Sequence, residues 1–312
     1  MTTAHTANTA KKSAKTSKNK VSKYSKRKVD PAFYWMTVPA VILVSIFLYW
    51  PFLQGAAYSF TNSQGYGNFK FIGLKNYIAM FQDSRVGHAY LFTIFIAILI
   101  TIGTNFLGMF LAVLLNSKIA FKNGFRAIFF IPYTLSVLVI GYVFKYIFMT
   151  PLPAIGQALH IDWLSTSMIS NPDLAWFPIV FLSIWQGVAY STLLYLAGLQ
   201  TIDNEIYEAA AIDGVNAWQN FWQITFPLIG PFFTINMVLS LKNSLGAFDQ
   251  IMALTKGGPS QSTESISYLI YQNGMSGGQF GFQSANAVLF FVVIVAISAF
   301  QMTVMGKKEE QL

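Results

Sequence analysis

The stretch EAAAIDGVNAWQNFWQITFPLIGP, Glu208–Pro231, is an acidic interruption in a largely apolar chain. It carries two acids, Glu208 and Asp213, two prolines, and neither Lys nor Arg. Its local signals spell a helical hairpin. Asp203, five residues upstream, can cap a short helix, and Glu205 in the first turn favours the positive end of the helix dipole. Ile206–Ile212 is rich in helix formers. Gly214 suits the left-handed position that stops such a helix. Asn216 opens a second helix, with Gln219 three residues on as in a capping box. Trp218, Phe221, Trp222 and Thr225 recur at helical spacing as an aromatic stripe. Pro227 ends that helix, and Pro231 suits the first turn of the next one.

The chain around it belongs in a membrane. Of 312 residues, 54% are hydrophobic and only 10% charged, against about 25% charged in soluble domains. The net charge of +8 suggests nucleic acid at first sight, but nine of the twenty basic residues fall between Lys11 and Lys28. The excess is a property of the tail and gives no basic face for nucleic acid. There is no cysteine, and His5, His88 and His160 are scattered. Thiol chemistry is thereby excluded, and no metal spacing exists. The phosphate-loop pattern G-x-x-x-x-G-K-[ST] is absent, so no cofactor site is expected in this chain.

Residues 1–30 read as a disordered, basic, cytoplasmic tail; as a signal peptide the basic region would be too long. Six apolar runs follow, over about Phe33–Phe60, Ala89–Asn116, Ala127–Phe148, Leu174–Leu199, Phe232–Ala253 and Ser284–Met305. Each exceeds the ~20 helical residues that cross a bilayer core. With the N-terminus inside, inner segments carry fourteen basic residues: nine in the tail, then Lys118, Lys122, Arg126, Lys307 and Lys308. Outer loops carry four: Lys70, Lys75, Arg85 and Lys256. The positive-inside bias therefore places both termini in the cytoplasm. The expected class is an all-α, six-span membrane protein, with its membrane domain over 31–306 and a short C-terminal tail, 307–312. The hairpin loop, 201–230, then faces the cytoplasm without a positive charge of its own, which suggests a task other than setting topology.

The fifth run holds the richest polar set. Asn236, Ser240, Asn243 and Gln250 share one helical face, and Lys242 and Asp249 another. Two readings stand: hydrogen-bonding glue between helices, or the lining of a path for neutral polyols. Gln186 and Tyr190 on the fourth run and Asn105 on the second could join such a path. For Tyr and Trp near span ends, the interfacial belt is the commoner explanation. The glycine-rich pieces TKGGPS and NGMSGGQFG in the last outer loop read as turn punctuation.

The order Glu208-Ala209-Ala210, Gly214, Ile224, Pro227 resembles the EAA signature of permease subunits of binding-protein-dependent ABC importers. Two more segments resemble that family's maltose/multiple-sugar branch: FIGLKNY, Phe71–Tyr77, and FDQIMALTKGGPSQST, Phe248–Thr263. The resemblance spans about residues 30–305 and implies the type I ABC importer permease fold. It further implies that the short helix bearing Glu208, Ala209, Ala210 and Asp213 is a coupling helix seated in a cytoplasmic ATPase. Gly214, which would permit the tight turn, Ile224 and Pro227 complete the ATPase-coupling residues that the resemblance implies.

The function expected from this resemblance is import of a sugar, a di- or oligosaccharide, into a bacterial or archaeal cell by alternating access. ATP and Mg would be bound by two partner ATPase subunits and not by this chain. A second homologous permease, an extracellular solute-binding protein and the lipid bilayer complete the set of partners. The alternative is an ion-coupled secondary transporter, which predicts intramembrane carboxylates in matching halves; only Asp249 approaches such a position. No Ser-His or metal-ligating pair sits at membrane depth, so an enzyme is not expected.

Overall fold

The computed structural model describes residues 31–117 and 121–309. The basic tail, Lys118 and residues 310–312 lie outside the described residues. The described chain divides into two units at Gln54–Gly55.

Helix α1, Trp35–Tyr58, is apolar throughout and widens into a π-helical turn at Ser45–Tyr49. An antiparallel bridge, Thr61–Phe71, then closes a loop. Asn76 fastens it by donating from Nδ2 to Ser59 O and Thr61 O, both at 2.8 Å. The short α2, Lys75–Gln82, leads into α3, Ser84–Asn116. Asp83 caps α3 by accepting from Arg85 N at 2.8 Å.

The third apolar run is not one helix. It divides into α4, Lys122–Thr134, and α5, Val137–Met149, with extended backbone at Leu135. Pro132 lies just before the break, where the ring denies one helical hydrogen bond. The continuous apolar stretch is instead Val137–Ala158, in which α6, Pro151–Ala158, follows α5 directly. Then comes α7, Trp176–Leu199. It packs along α3 through small residues: a side chain at Gly108 would collide with Ser191, and one at Gly103 with Ile184. Close backbone approach of this kind is the usual basis of helix pairing in lipid.

The fifth run also departs from a single helix. Helix α9, Ala217–Leu228, bends by 73° into α10, Gly230–Leu245. Gly246–Phe248 is a break, and α11, Asp249–Leu254, follows it. Gly246 ends α10, and the freed carbonyl of Ala247 accepts from Ser265 Oγ at 3.0 Å. That outside donor makes a broken helix tolerable at membrane depth. Beyond it come α12, Ile266–Tyr271, and α13, Phe280–Glu309. Helix α13 thus continues through residues 307–309, which the sequence assigned to a tail. The described chain has five helices long and apolar enough to cross a membrane, or six if the bent pair counts as one.

Candidate substrate cavity and coupling hairpin

The hairpin is built as its residues dictate. Helix α8, Asn204–Ile212, is capped by Asp203, which accepts from Glu205 N at 3.1 Å. Gly214 has φ +74°, and Val215 N closes back on Ala210 O at 3.1 Å. Asn216 and Gln219 form both arms of a capping box, at 2.9 and 3.2 Å. The aromatic stripe stacks edge to face, Trp218 on Trp222 at 5.7 Å and Phe221 on Trp222 at 5.1 Å. Tyr207 Oη reaches Thr225 Oγ1 at 3.3 Å and ties the two helices together. Ala210 is buried and Ile224 and Pro227 half-buried, so these three hold the hairpin's form. Glu208, Ala209 and Asp213 are exposed. So are two large apolar side chains, Ile212 at 87% and Trp218 at 71%. Glu208 and Ile212, four residues apart, lie on one face of α8.

A cavity of about 660 Å³ lies among α3, the α4–α5 break, α7, α10 and α11. Asn236, Ser240, Asn243 and Gln250 all line it, together with Gln186 and Tyr190. Gln250 does so from α11, beyond the break, so the stripe is one lining carried on two helices. Sequence reasoning missed Thr104, Tyr133, Ser136, Ser183 and Ser191. These come from three other elements, and nothing local marks them. Tyr133 stacks on Tyr190 with ring centroids 5.5 Å apart. No lining residue is charged. The surface offers hydroxyls, amides and aromatic faces, a set suited to a neutral, hydroxyl-rich solute.

Several of these residues also hold helices together. Asn236 Nδ2 donates to Ser191 Oγ at 2.6 Å. Asn105 does not line the cavity; it donates to Ser240 Oγ at 2.7 Å and accepts from Tyr195 Oη at 2.6 Å. Asp249 opens α11, exposed, and is likewise not part of the lining. Lys242 and Asp249 form no salt bridge; among the described residues the bridge that forms is Arg85–Glu264. No group of three or more His, Asp or Glu gathers as a metal site among the described residues.

Residues 104–309, which include both the hairpin and most of the cavity, match the family model of the binding-protein-dependent transport system inner membrane component. The chain belongs to this family. As an inner membrane component it is a multi-pass transport subunit and not an enzyme. The chain is 41% identical over 281 residues to the multiple sugar-binding transport system permease protein MsmF of Streptococcus mutans, covering 88% of this chain and 97% of that one. It is 33% identical over 280 residues to the probable starch degradation products transport system permease protein AmyD of Thermoanaerobacterium thermosulfurigenes, covering 89% and 96%. Among solved structures, a bacterial ABC transporter that imports the acidic polysaccharide alginate has a chain superposing with a TM-score of 0.77. That match covers 89% of this inner membrane component and 96% of the other chain, at 22% identity. The likeness establishes the fold, that of type I ABC importer permeases.

Proposed function

We propose that this chain is the permease subunit of an ABC importer for a neutral sugar, a di- or oligosaccharide, in the cell membrane of a bacterium or archaeon. The observation that carries the reading is the uncharged cavity of hydroxyls and amides. The names of the relatives MsmF and AmyD, which refer to multiple sugars and starch degradation products, support it. Termini inside and hairpin inside follow from the basic bias of the loops.

The hairpin supplies the coupling. Glu208, Ala209 and Asp213 face a cleft of a cytoplasmic ATPase, with Ile212 and Trp218 as apolar contacts. Two such ATPases bind ATP and Mg. A second, homologous permease closes the other half of the path, and an extracellular solute-binding protein delivers the sugar. Transport follows alternating access: closure of the ATPases pushes the hairpins, and the spans exchange their open side. A shift from one dominant state to the other takes about 5.5 kcal/mol of differential binding.

The test is uptake by the reconstituted importer in proteoliposomes, with its ATPases, second permease and binding protein, against a panel of solutes. Neutral oligosaccharides are expected to enter and to compete with one another. Uptake confined to anionic solutes would overturn the sugar reading, and failure of any ATPase to co-purify would overturn the coupling. An ion-coupled carrier would instead respond to collapse of the ion gradient and need no ATP.

A further inference from the structure

The ion pair Arg85–Glu264 joins residues 179 positions apart and belongs neither to the cavity nor to the hairpin. It is two-pronged: Arg85 Nε donates to Glu264 Oε2 at 2.7 Å and Nη2 to Oε1 at 2.8 Å. The Glu264 side chain is only 3% exposed, that of Arg85 35%. A buried bidentate pair of this kind fixes geometry as well as charge.

What it fixes can be traced bond by bond. Glu264 ends the loop after α11. In that loop Lys256, Ser260 and Gln261 all take positive φ, and Thr263 Oγ1 lies 2.6 Å from Gly258 O and 2.8 Å from Thr255 Oγ1. The loop is thereby hydrogen-bonded onto the end of α11 through Thr255. The next residue, Ser265, holds the carbonyl of Ala247, which sits in the α10–α11 break and lines the cavity. Ile266 N then donates to Thr93 Oγ1 on α3 at 2.9 Å. Arg85 and Thr93 thus clamp one short segment, Glu264–Ile266, against α3, and that segment holds the break.

Along the helices, an apolar cluster lies between this clamp and the cavity. Phe92 and Ile96 precede the lining residue Thr104 on α3, and Ile179 precedes Ser183 on α7. Ile251 and Leu254 follow Gln250 on α11. This cluster plugs the end of the bundle at which α3 and α7 begin. We propose that Arg85 and Glu264 form a latch that holds the plug shut by pinning α11 to α3, and that its release opens the cavity to the outer side. The two residues are positioning residues for transport. The outward direction of opening rests on the proposed function; the clamp and the plug do not.

The chain contains no cysteine, so Ser136→Cys places a single thiol of nearly the same size in the cavity lining. The complete importer carrying it is treated from the outer face with a membrane-impermeant maleimide, without sugar or ATP, and labelling of this chain is followed by mass. Glu264→Gln is expected to raise the labelling rate about tenfold, a shift of about 1.4 kcal/mol. Arg85→Lys, which keeps the charge but not the two-pronged bond, gives a smaller rise. The exchange Arg85→Glu with Glu264→Arg returns the rate toward that of the parent. A lower melting temperature with unchanged labelling in both single variants would make the pair a mere stabiliser and overturn the latch. If Glu264→Gln does not reach the membrane, a parental rate in Arg85→Lys overturns it equally. A cargo other than sugar shows in the uptake panel and leaves the labelling result standing.

Discussion

Gln186, in the middle of α7, donates from Nε2 to the backbone carbonyl of Leu135 at 3.1 Å, and lies 3.4 Å from that of Pro132. One side chain thus engages the carbonyls released where α4 stops, and ties α7 to the break. Gln186→Leu keeps the volume and removes the donor. Loss of one such hydrogen bond costs about 0.5–1.5 kcal/mol. The variant should insert, melt at a lower temperature in detergent, and transport less, because Ser136 and Tyr133 on either side of the break line the cavity. A melting temperature equal to the parent's would show that the break holds without this bond.

The polar residues of the cavity separate into two groups with different expected signatures. Asn243 and Gln250 line the cavity, and among the described residues no hydrogen bond ties their side chains to another helix. Alanine at either should raise the KM for sugar several-fold and leave the melting temperature near the parent's, at about 0.5 kcal/mol or less. Asn105 and Asn236 bridge helices, through Ser240 and Tyr195 and through Ser191. Leucine at either should lower stability by about 0.6 kcal/mol or more, the mean worth of such bonds in membrane proteins. Thermal melts and uptake kinetics on the four variants decide this; a loss of stability without a change in KM at Asn243 and Gln250 would return both to the bridging group.

What the sequence reveals follows the range of the interaction. The capping box at Asn216 and Gln219 and the left-handed Gly214 are set by residues within four positions of one another, and both appear as read. The breaks at Leu135 and at Gly246–Phe248 were not legible, because the donors that permit them, Gln186 and Ser265, lie 51 and 18 residues away. Asn105 misled for the same reason: its partners are 90 and 135 residues distant. The stripe Asn236–Gln250 does face one cavity, yet it gets there through a break that helical spacing alone does not foresee. Arg85 and Glu264 carried no local mark at all.

Gly214 tests the shape of the hairpin apart from its chemistry. With φ at +74° it occupies a region that a side chain enters at about 1–2 kcal/mol. A Cβ there would meet nothing within 4 Å, so the cost is backbone strain and not collision. Gly214→Asn, which tolerates this region best, should keep most of the uptake. Gly214→Ala should retain less. Gly214→Pro demands φ near −65° and removes the N–H that donates to Ala211 O. It should abolish uptake while the spans still insert. Equal transport by all three would mean that the turn after α8 does not matter to coupling.

Glu208 is the sharpest single test of where the motor docks. It is exposed on α8, forms no salt bridge among the described residues, and lies four residues from the exposed Ile212. Its removal therefore costs the isolated subunit almost nothing, and Glu208→Ala should insert and melt as the parent does. In the assembled importer the carboxylate would be enclosed against a basic residue of the ATPase. Truncating one partner of such a pair costs about 2–5 kcal/mol, mostly as faster dissociation. Uptake should fall to background, and the ATPase should be lost from the purified complex or hydrolyse ATP without responding to the binding protein. Glu208→Gln, which keeps the shape and loses the charge, should fall between the two. Retention of ATPase by Glu208→Ala with full uptake would remove the hairpin from the coupling path.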